Sequence, residues 1–361
     1  MWALVILLAA GVLKAADKNV AFSTYYSLAA NMLVAFYIGK GIFLHEQERD
    51  FAVTVICFYA IIVSLLGLFE TFWAFNPLYT FFIDNIFYER YISEEVRPMS
   101  TLLNPAALGT YLLLSGPFSI FFLKQQERPK KILGAVTLTL VMTCFFLALS
   151  RGSFAGLIAM ALFYLLVEKD RERLLFYGLL FVGFLCVASF LPYPFSRFSL
   201  EGIFIHGTGF FSKYRSVRLD MAIQMFRDSP FLGIGLNHFR VLFDHYYPLK
   251  SQVADILWEH KIADNMYLTL LAETGLAGIA GFLIFISSLF LRGIRKLGEL
   301  EKGSARTLLL VSLSSLAGFL TDMNGYEVLY WPNLYLFFCL ICGFIQGISG
   351  NREGTGAVPH G

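Results

Sequence analysis

Long apolar runs separated by short polar links dominate the first 350 residues of the chain. A helix that crosses a bilayer needs about 20 mostly apolar residues. Ten segments have this character, the first of them short: residues 1–14, 23–44, 51–70, 101–123, 131–149, 152–167, 174–192, 265–291, 305–322 and 329–349. The pattern predicts an all-α fold, a polytopic membrane bundle of about ten transmembrane helices.

The links are short except for residues 71–100 and 193–264. The longer of the two separates seven predicted helices in 1–192 from three in 265–350. A long loop in a compact bundle is usually functional or disordered, and its Phe, Tyr, Leu and Trp content favours a folded segment with amphipathic helices. Residues 351–361 are expected to form a disordered tail.

Composition excludes a water-soluble fold, because 57% of the residues are hydrophobic and 15% are charged. A net charge of +2 without a basic stripe argues against a nucleic-acid partner. Lysines and arginines concentrate in the links 124–131, 168–173 and 292–306, which fall on one side of a ten-helix map. The positive-inside rule makes that side cytoplasmic and leaves 193–264 on the outer side.

Arginines on the predicted outer side carry the candidate chemistry. Arg151 lies between two apolar runs, where a charge is costly unless it meets an anion or water. Arg215 and Arg218 share one face of a predicted amphipathic helix with Ala222 and Met225. Guanidinium groups match phosphate oxygens in geometry. Two interpretations stay open: arginines that anchor the fold or lipid headgroups, and arginines that bind a lipid-linked diphosphate.

Other polar residues have simpler interpretations. We expect Glu273 to hydrogen-bond between helices, and Gly275, Gly278 and Gly281 to allow close helix packing. Residues 322–327, with Asp322, Asn324, Tyr326 and Glu327, are expected to form a solvated outer turn between the last two helices, and a lining of the acceptor path is the alternative. The histidines show no metal-ligand spacing, so neither a metal site nor a cofactor is predicted.

Four stretches in order resemble the O-antigen ligase/polymerase superfamily, over roughly residues 95–350. They are Arg97 with Asn104-Pro105, Ser150-Arg151-Gly152, Arg218 followed by DSPFLGIGLNHF, and ADNMYLTLLAETGLAG with Asp264 and Glu273. The resemblance implies a GT-C-like, metal-independent, inverting glycosyltransferase in the bacterial inner membrane, with one large periplasmic loop. It implies transfer of a glycan from undecaprenyl diphosphate to a hydroxyl of lipid A core, of another glycan or of a protein.

The resemblance also assigns roles to residues. Arg151 and Arg218 match the family's diphosphate-binding arginines, with Arg215 and Arg97 as candidate helpers. Asp264 stands where the family has a catalytic histidine, and a carboxylate can act as the base for an attacking hydroxyl. His260, four residues upstream, is an alternative base, and a chain in which neither residue serves is a third possibility.

Two other classes remain open. A polysaccharide transporter or flippase would carry polar or broken helices near the membrane midplane, often in paired repeats, and the sequence shows no repeat. A non-catalytic membrane scaffold would account for the missing histidine.

The topology can be tested by cysteine labelling. We expect Ser251→Cys to react with a membrane-impermeant maleimide added from the outer side, because it lies in the 193–264 loop. Gln126→Cys, in the basic link 124–131, is the matched control and should react only after the membrane is permeabilised. The reverse pattern would contradict the predicted orientation.

Overall fold

The computed structural model describes residues 2–42, 46–73, 75–78, 97–168, 213–246 and 261–350, and these residues form helices and connecting turns. The predicted helix 174–192, His260 and the tail lie outside the described residues. The α-helices are α1 Trp2–Leu13, α2 Lys18–Ile42, α3 Glu46–Trp73, α4 Pro105–Ser115, α5 Phe118–Leu123, α6 Arg128–Ala148, α7 Arg151–Glu168, α8 Lys213–Asp228, α9 His238–Val241, α10 Phe243–Tyr246, α11 Met266–Glu299, α12 Ser304–Asp322 and α13 Pro332–Gly350.

Seven spans in the described part of the chain are long and apolar enough to cross a membrane: α3 from Gln47, α4 with α5, α6, α7, α11, α12 and α13. Helix α1 has 12 residues, and α2 has 25 residues but mixes Ser, Tyr and Asn with its apolar positions. Large apolar side chains such as Phe51, Phe72 and Ile284 are mostly exposed. Exposed apolar surface on long helices is typical of a lipid-facing surface. The chain is thus a multi-pass helical membrane protein.

Two helix pairs approach closely because a glycine of each helix faces the other. In the α2–α13 pair, a Cβ on Gly39 would lie 2.4 Å from the carbonyl oxygen of Leu340, and one on Gly343 would lie 2.2 Å from that of Phe36. In the α7–α12 pair, a Cβ on Gly156 would lie 2.6 Å from the carbonyl oxygen of Gly318. Small residues at such crossings let the backbones pack tightly in a membrane.

Charged residues gather where α5, α7 and α12 meet. Glu168 at the end of α7 accepts hydrogen bonds from Lys124 at 3.3 Å and from Arg306 at 3.0 Å. Lys130, at the start of α6, is 2.6 Å from Asp50. The predicted basic links 124–131 and 292–306 therefore meet at one end of the bundle. Arg151 is the first residue of α7 and therefore lies at the opposite end of that helix from Glu168.

Helix α11 is broken at Gly275, which has a φ of 61° and a ψ of −164°. The amide of Leu276 donates to the carbonyl of Pro230 at 2.8 Å, and that of Ala277 donates to Phe231 at 3.1 Å. A backbone break at membrane depth is tolerated when protein groups satisfy its polar atoms, and the segment after α8 does so here. Gly275 does allow close packing, as predicted, since an added Cβ would lie 2.4 Å from the carbonyl carbon of Phe231. The break in the helix was not predicted, because a periodic pattern does not reveal a positive φ.

The segment between α8 and α9 continues along the broken helix. The amides of Ile234 and Gly235 donate to the carbonyls of Ala272 and Glu273, at 2.9 and 3.0 Å. Glu273, fully buried in α11, accepts from the amides of Asn237 at 2.9 Å and Phe239 at 3.0 Å, and from the Tyr330 hydroxyl. The expectation that Glu273 hydrogen-bonds to other elements is confirmed. Helix α8 is thereby fixed against α11 through the turn that follows it.

The break generates a stability prediction. Gly275→Ala should lower the free energy of unfolding by about 2 kcal/mol or more, because alanine disfavours this φ and its Cβ would lie 2.4 Å from the carbonyl carbon of Phe231. Gly298→Ala on the same helix is the control, since no atom lies within 4 Å of its added Cβ. Thermal unfolding in detergent measures both, and an unchanged melting temperature for Gly275→Ala would rule out a strained break.

Candidate functional site

Two of the predicted site residues form an ion pair. The guanidinium of Arg218 on α8 lies 2.7 Å from the carboxylate of Asp264, just before α11, and the two side chains are 13% and 21% exposed. Arg218 also donates to the carbonyl of Ile262 at 3.4 Å. Its buried Nε–H has no hydrogen-bond acceptor among the described residues. One donor of this guanidinium is therefore available to a ligand.

Helix α8 brings Arg218 to this position because its apolar side packs on α11. Met221, Ala222 and Met225 are almost completely buried there, in a small core with Phe239 and Ala272. The amphipathic helix predicted from the sequence thus exists, and it ends at Asp228, two residues before the proline at position 230, as proline's steric constraint favours. Arg215 lies one turn before Arg218 on the same helix, with a side chain outside the described part of the structure.

The turn before α11 holds Asp264 in a left-handed conformation, with a φ of 54°. Asn265 caps the helix by accepting from the amide of Leu268 at 3.0 Å. The amide of Met266 donates to the carbonyl of Met323 at 2.8 Å. These bonds fix the backbone on the C-terminal side of Asp264 against the turn that follows α12.

Glu327 fixes the other side of Asp264. Its Oε1 accepts from the amide of Ala263 and from the hydroxyl of Thr269, both at 2.8 Å, and its carboxylate lies 3.7 Å from the guanidinium of Arg240. Burial raises the pKa of the Glu327 carboxyl, and the hydrogen bonds from Ala263 and Thr269 oppose that rise. Asp264 thus sits on a turn supported from inside the protein by a second carboxyl group.

The expectation of a solvated turn at residues 322–327 was wrong. Asp322 and Glu327 are 1% and 2% exposed. A polar cluster between two apolar helices resembles a surface turn in sequence. Here the two acids contact residues of α4, α7 and α9 and of the start of α11. An acidic residue at a membrane helix end is costly unless it is paired, so it can mark a site. The position of both acids at membrane helix ends is the sequence signal that indicates this buried turn.

Asp322 connects the same turn to Arg151. It accepts hydrogen bonds from the hydroxyls of Ser153 at 3.2 Å and Thr110. Gly152 lies directly against it, since an added Cβ would be 2.6 Å from its Oδ1. Arg151 is the first residue of α7 and is partly buried. The segment 150–153 (Ser-Arg-Gly-Ser) therefore contacts Asp322 through Gly152 and Ser153, and this contact places Arg151 at this end of the bundle.

Arg97 lies at the link between α6 and α7. Its Nε donates to the carbonyl of Ala148 at 3.0 Å, and its Nη2 donates to that of Leu149 at 3.4 Å. These are carbonyls that the end of a helix leaves without intrahelical partners. Arg97 thus fixes the end of α6 two residues before Arg151. Its predicted contact with a diphosphate stays a prediction.

The structure therefore brings the predicted residues to one end of the bundle in two groups. Arg218 and Asp264 are in direct contact, while Arg97 and Arg151 lie at the α6–α7 link. The turn 322–327 contacts both groups, through Asp322 on one side and through Met323 and Glu327 on the other. No cluster of three or more potential metal ligands occurs among the described residues, and metal independence stays a prediction.

These observations define the class of the protein. It is a polytopic helical membrane protein with a site rich in arginine and carboxylate side chains at one end. Residues 135–283 match the family model Wzy_C, described as O-Antigen ligase, which is less than half of the chain and includes Arg151, Arg218 and Asp264. The match confirms the predicted resemblance to the O-antigen ligase/polymerase superfamily. No curated protein matches the chain. For the part of the chain that it covers, the match implies, at the level of the family, a membrane glycosyltransferase or ligase that acts on a lipid-linked glycan.

Proposed function

We propose that the chain transfers a glycan from undecaprenyl diphosphate to an acceptor hydroxyl at the periplasmic face of the inner membrane. The observation that carries this proposal is the Arg218–Asp264 pair, in which a partly buried guanidinium with an Nε–H unpaired among the described residues meets a carboxylate at the start of a helix. A transferase of this kind needs a cation for the leaving diphosphate and a base for the acceptor, next to each other.

Arg218 and Arg151 bind the diphosphate in this proposal. A guanidinium stays charged at any working pH and presents several N–H donors in one plane. In a site of low dielectric, such donors stabilise the charge that develops on the leaving group. Arg97 holds the link that carries Arg151, and Arg215 is a further candidate ligand on α8.

Asp264 accepts the proton in this proposal. The acceptor oxygen attacks the anomeric carbon from the face opposite the diphosphate, so the configuration inverts. The new carbon–oxygen bond forms as the bond to the phosphate oxygen breaks, and its electron pair leaves with undecaprenyl diphosphate. The hydroxyl proton moves to the Asp264 carboxylate. The 2.7 Å contact with Arg218 fixes the position of that carboxylate.

The acceptor distinguishes three versions of the function: lipid A core for a ligase, another repeat unit for a polymerase, and a protein hydroxyl for a protein glycosyltransferase. The buried pair does not discriminate among them, since each acceptor presents the same reacting group. An in vitro assay that supplies each acceptor separately with one lipid-linked glycan identifies the version by its product.

The diphosphate assignment predicts that Arg218→Ala and Arg151→Ala each lower the rate of glycan transfer by about 100-fold or more, the usual effect of removing one charge-stabilising donor. Arg227→Ala is the matched control on α8: it is exposed, and nine residues after Arg218 it projects about 180° away around the helix. Transfer in vitro at normal expression is the measurement. Full activity of both site variants would refute diphosphate binding by these arginines.

The base assignment generates a separate prediction. Asp264→Asn should abolish transfer because the amide cannot accept the proton, whereas Asp264→His should retain measurable activity with a neutral imidazole as base. Both variants are assayed at matched protein level with the same donor. An Asp264→Asn enzyme as fast as the wild type would eliminate Asp264 as the base.

A further inference from the structure

Glu327 has the geometry of a residue that supports another. Its side chain is 2% exposed. Its Oε1 accepts from one backbone amide, that of Ala263, and from one hydroxyl, that of Thr269. The amide belongs to the residue immediately before Asp264, and Thr269 lies five residues after Asp264 in the first turns of α11. A single oxygen thus connects both ends of the turn that carries Asp264.

That turn needs external support. Asp264 has a φ of 54°, a conformation that costs energy for a residue with a side chain and persists where the surroundings hold it. On its outer side the turn contacts Arg218, through the carbonyl of Ile262 and the carboxylate of Asp264. On its inner side it contacts Glu327 and Met323. Removal of the inner contact would leave the buried amide of Ala263 without its acceptor.

We propose that Glu327 is a positioning residue that fixes the carboxylate of Asp264 beside Arg218 by holding the amide of Ala263. The proposal rests on the proposed function, since it assigns Glu327 to the same site. It requires an oxygen acceptor at the position of Oε1 rather than a negative charge. Arg240, 3.7 Å from the carboxylate and half exposed, can be solvated when that charge is removed.

Two conservative variants therefore separate the effect of the side-chain length of Glu327 from the effect of its negative charge. Glu327→Gln keeps the length of the side chain and an oxygen acceptor but removes the charge. Glu327→Asp keeps the charge but withdraws the oxygens by one methylene group, out of reach of the Ala263 amide. Both retain a polar group in the buried turn, so both are suitable for a kinetic comparison in the full chain.

The experiment measures glycan transfer by purified protein in lipid nanodiscs at varied concentrations of undecaprenyl-diphosphate-linked glycan. We expect Glu327→Gln to keep kcat within about 3-fold of the wild type, and Glu327→Asp to lower kcat by about 10- to 100-fold, the scale of a small misplacement of a reacting group. The KM for the donor should stay within about 3-fold for both, because Arg218 and Arg151 are unchanged.

Glu273→Gln is the matched control for burial. Glu273 is as deeply buried as Glu327 and accepts from the backbone amides of Asn237 and Phe239, where Glu327 accepts from one amide and one hydroxyl. No hydrogen bond joins Glu273 to the Asp264 turn among the described residues. Its variant reports the general effect of altering a buried carboxyl group, and it should lower kcat less than Glu327→Asp does. A kcat for Glu327→Asp equal to or above that of Glu327→Gln would overturn the inference, since charge rather than length would then govern the rate.

The two proposals fail in different ways. If wild-type protein shows no transfer, or Arg218→Ala transfers as fast as wild type, the proposed function fails. If wild type transfers, Arg218→Ala does not, and both Glu327 variants match the wild type, the positioning role alone is wrong. A parallel rise of KM and fall of kcat in Glu327→Asp would also overturn it, because the donor site itself would then depend on Glu327.

Discussion

The buried turn between α12 and α13 is the constraint on which the candidate site depends. Asp322 binds the start of α7 through Ser153, and Glu327 binds the turn before α11 through Ala263. Both carboxyl groups are desolvated, so each stabilises the structure only as long as its hydrogen-bond donors stay in place. The six residues 322–327 thereby set the separation between the Arg151 group and the Arg218–Asp264 pair, although these groups belong to helices far apart in sequence.

The Arg218–Asp264 pair has the opposite energetic character. A partly buried ion pair contributes little net stability, because desolvation offsets most of the attraction, yet loss of one partner leaves a buried charge. An arrangement of this kind is better suited to chemistry than to folding. The break of α11 at Gly275 also serves the site, because it lets the segment after α8 pack on α11. This packing holds α8, with Arg218, against the start of α11.

Much of this could be predicted from the sequence. Apolar periodicity located the long helices, the amphipathic pattern located α8, and the ordered motifs indicated the family and the residues Arg151, Arg218 and Asp264. The buried state of Asp322 and Glu327 could not be predicted, because a polar turn looks alike whether water or protein covers it. The positive φ of Gly275 could not be predicted either, because it does not change the pattern of apolar residues along the helix. Contacts such as that of Arg97 with the end of α6 depend on tertiary structure, which motif spacing does not encode.

Direct binding of undecaprenyl diphosphate, without a glycan, tests most directly whether the two arginine groups form one pocket. Native mass spectrometry or tryptophan fluorescence in nanodiscs can compare the wild type, Arg151→Ala, Arg218→Ala and the double variant. A shared pocket predicts that each single variant weakens binding and that the double variant loses little more than the worse single one, because both guanidinium groups act on the same diphosphate. Wild-type affinity in either single variant would contradict the account.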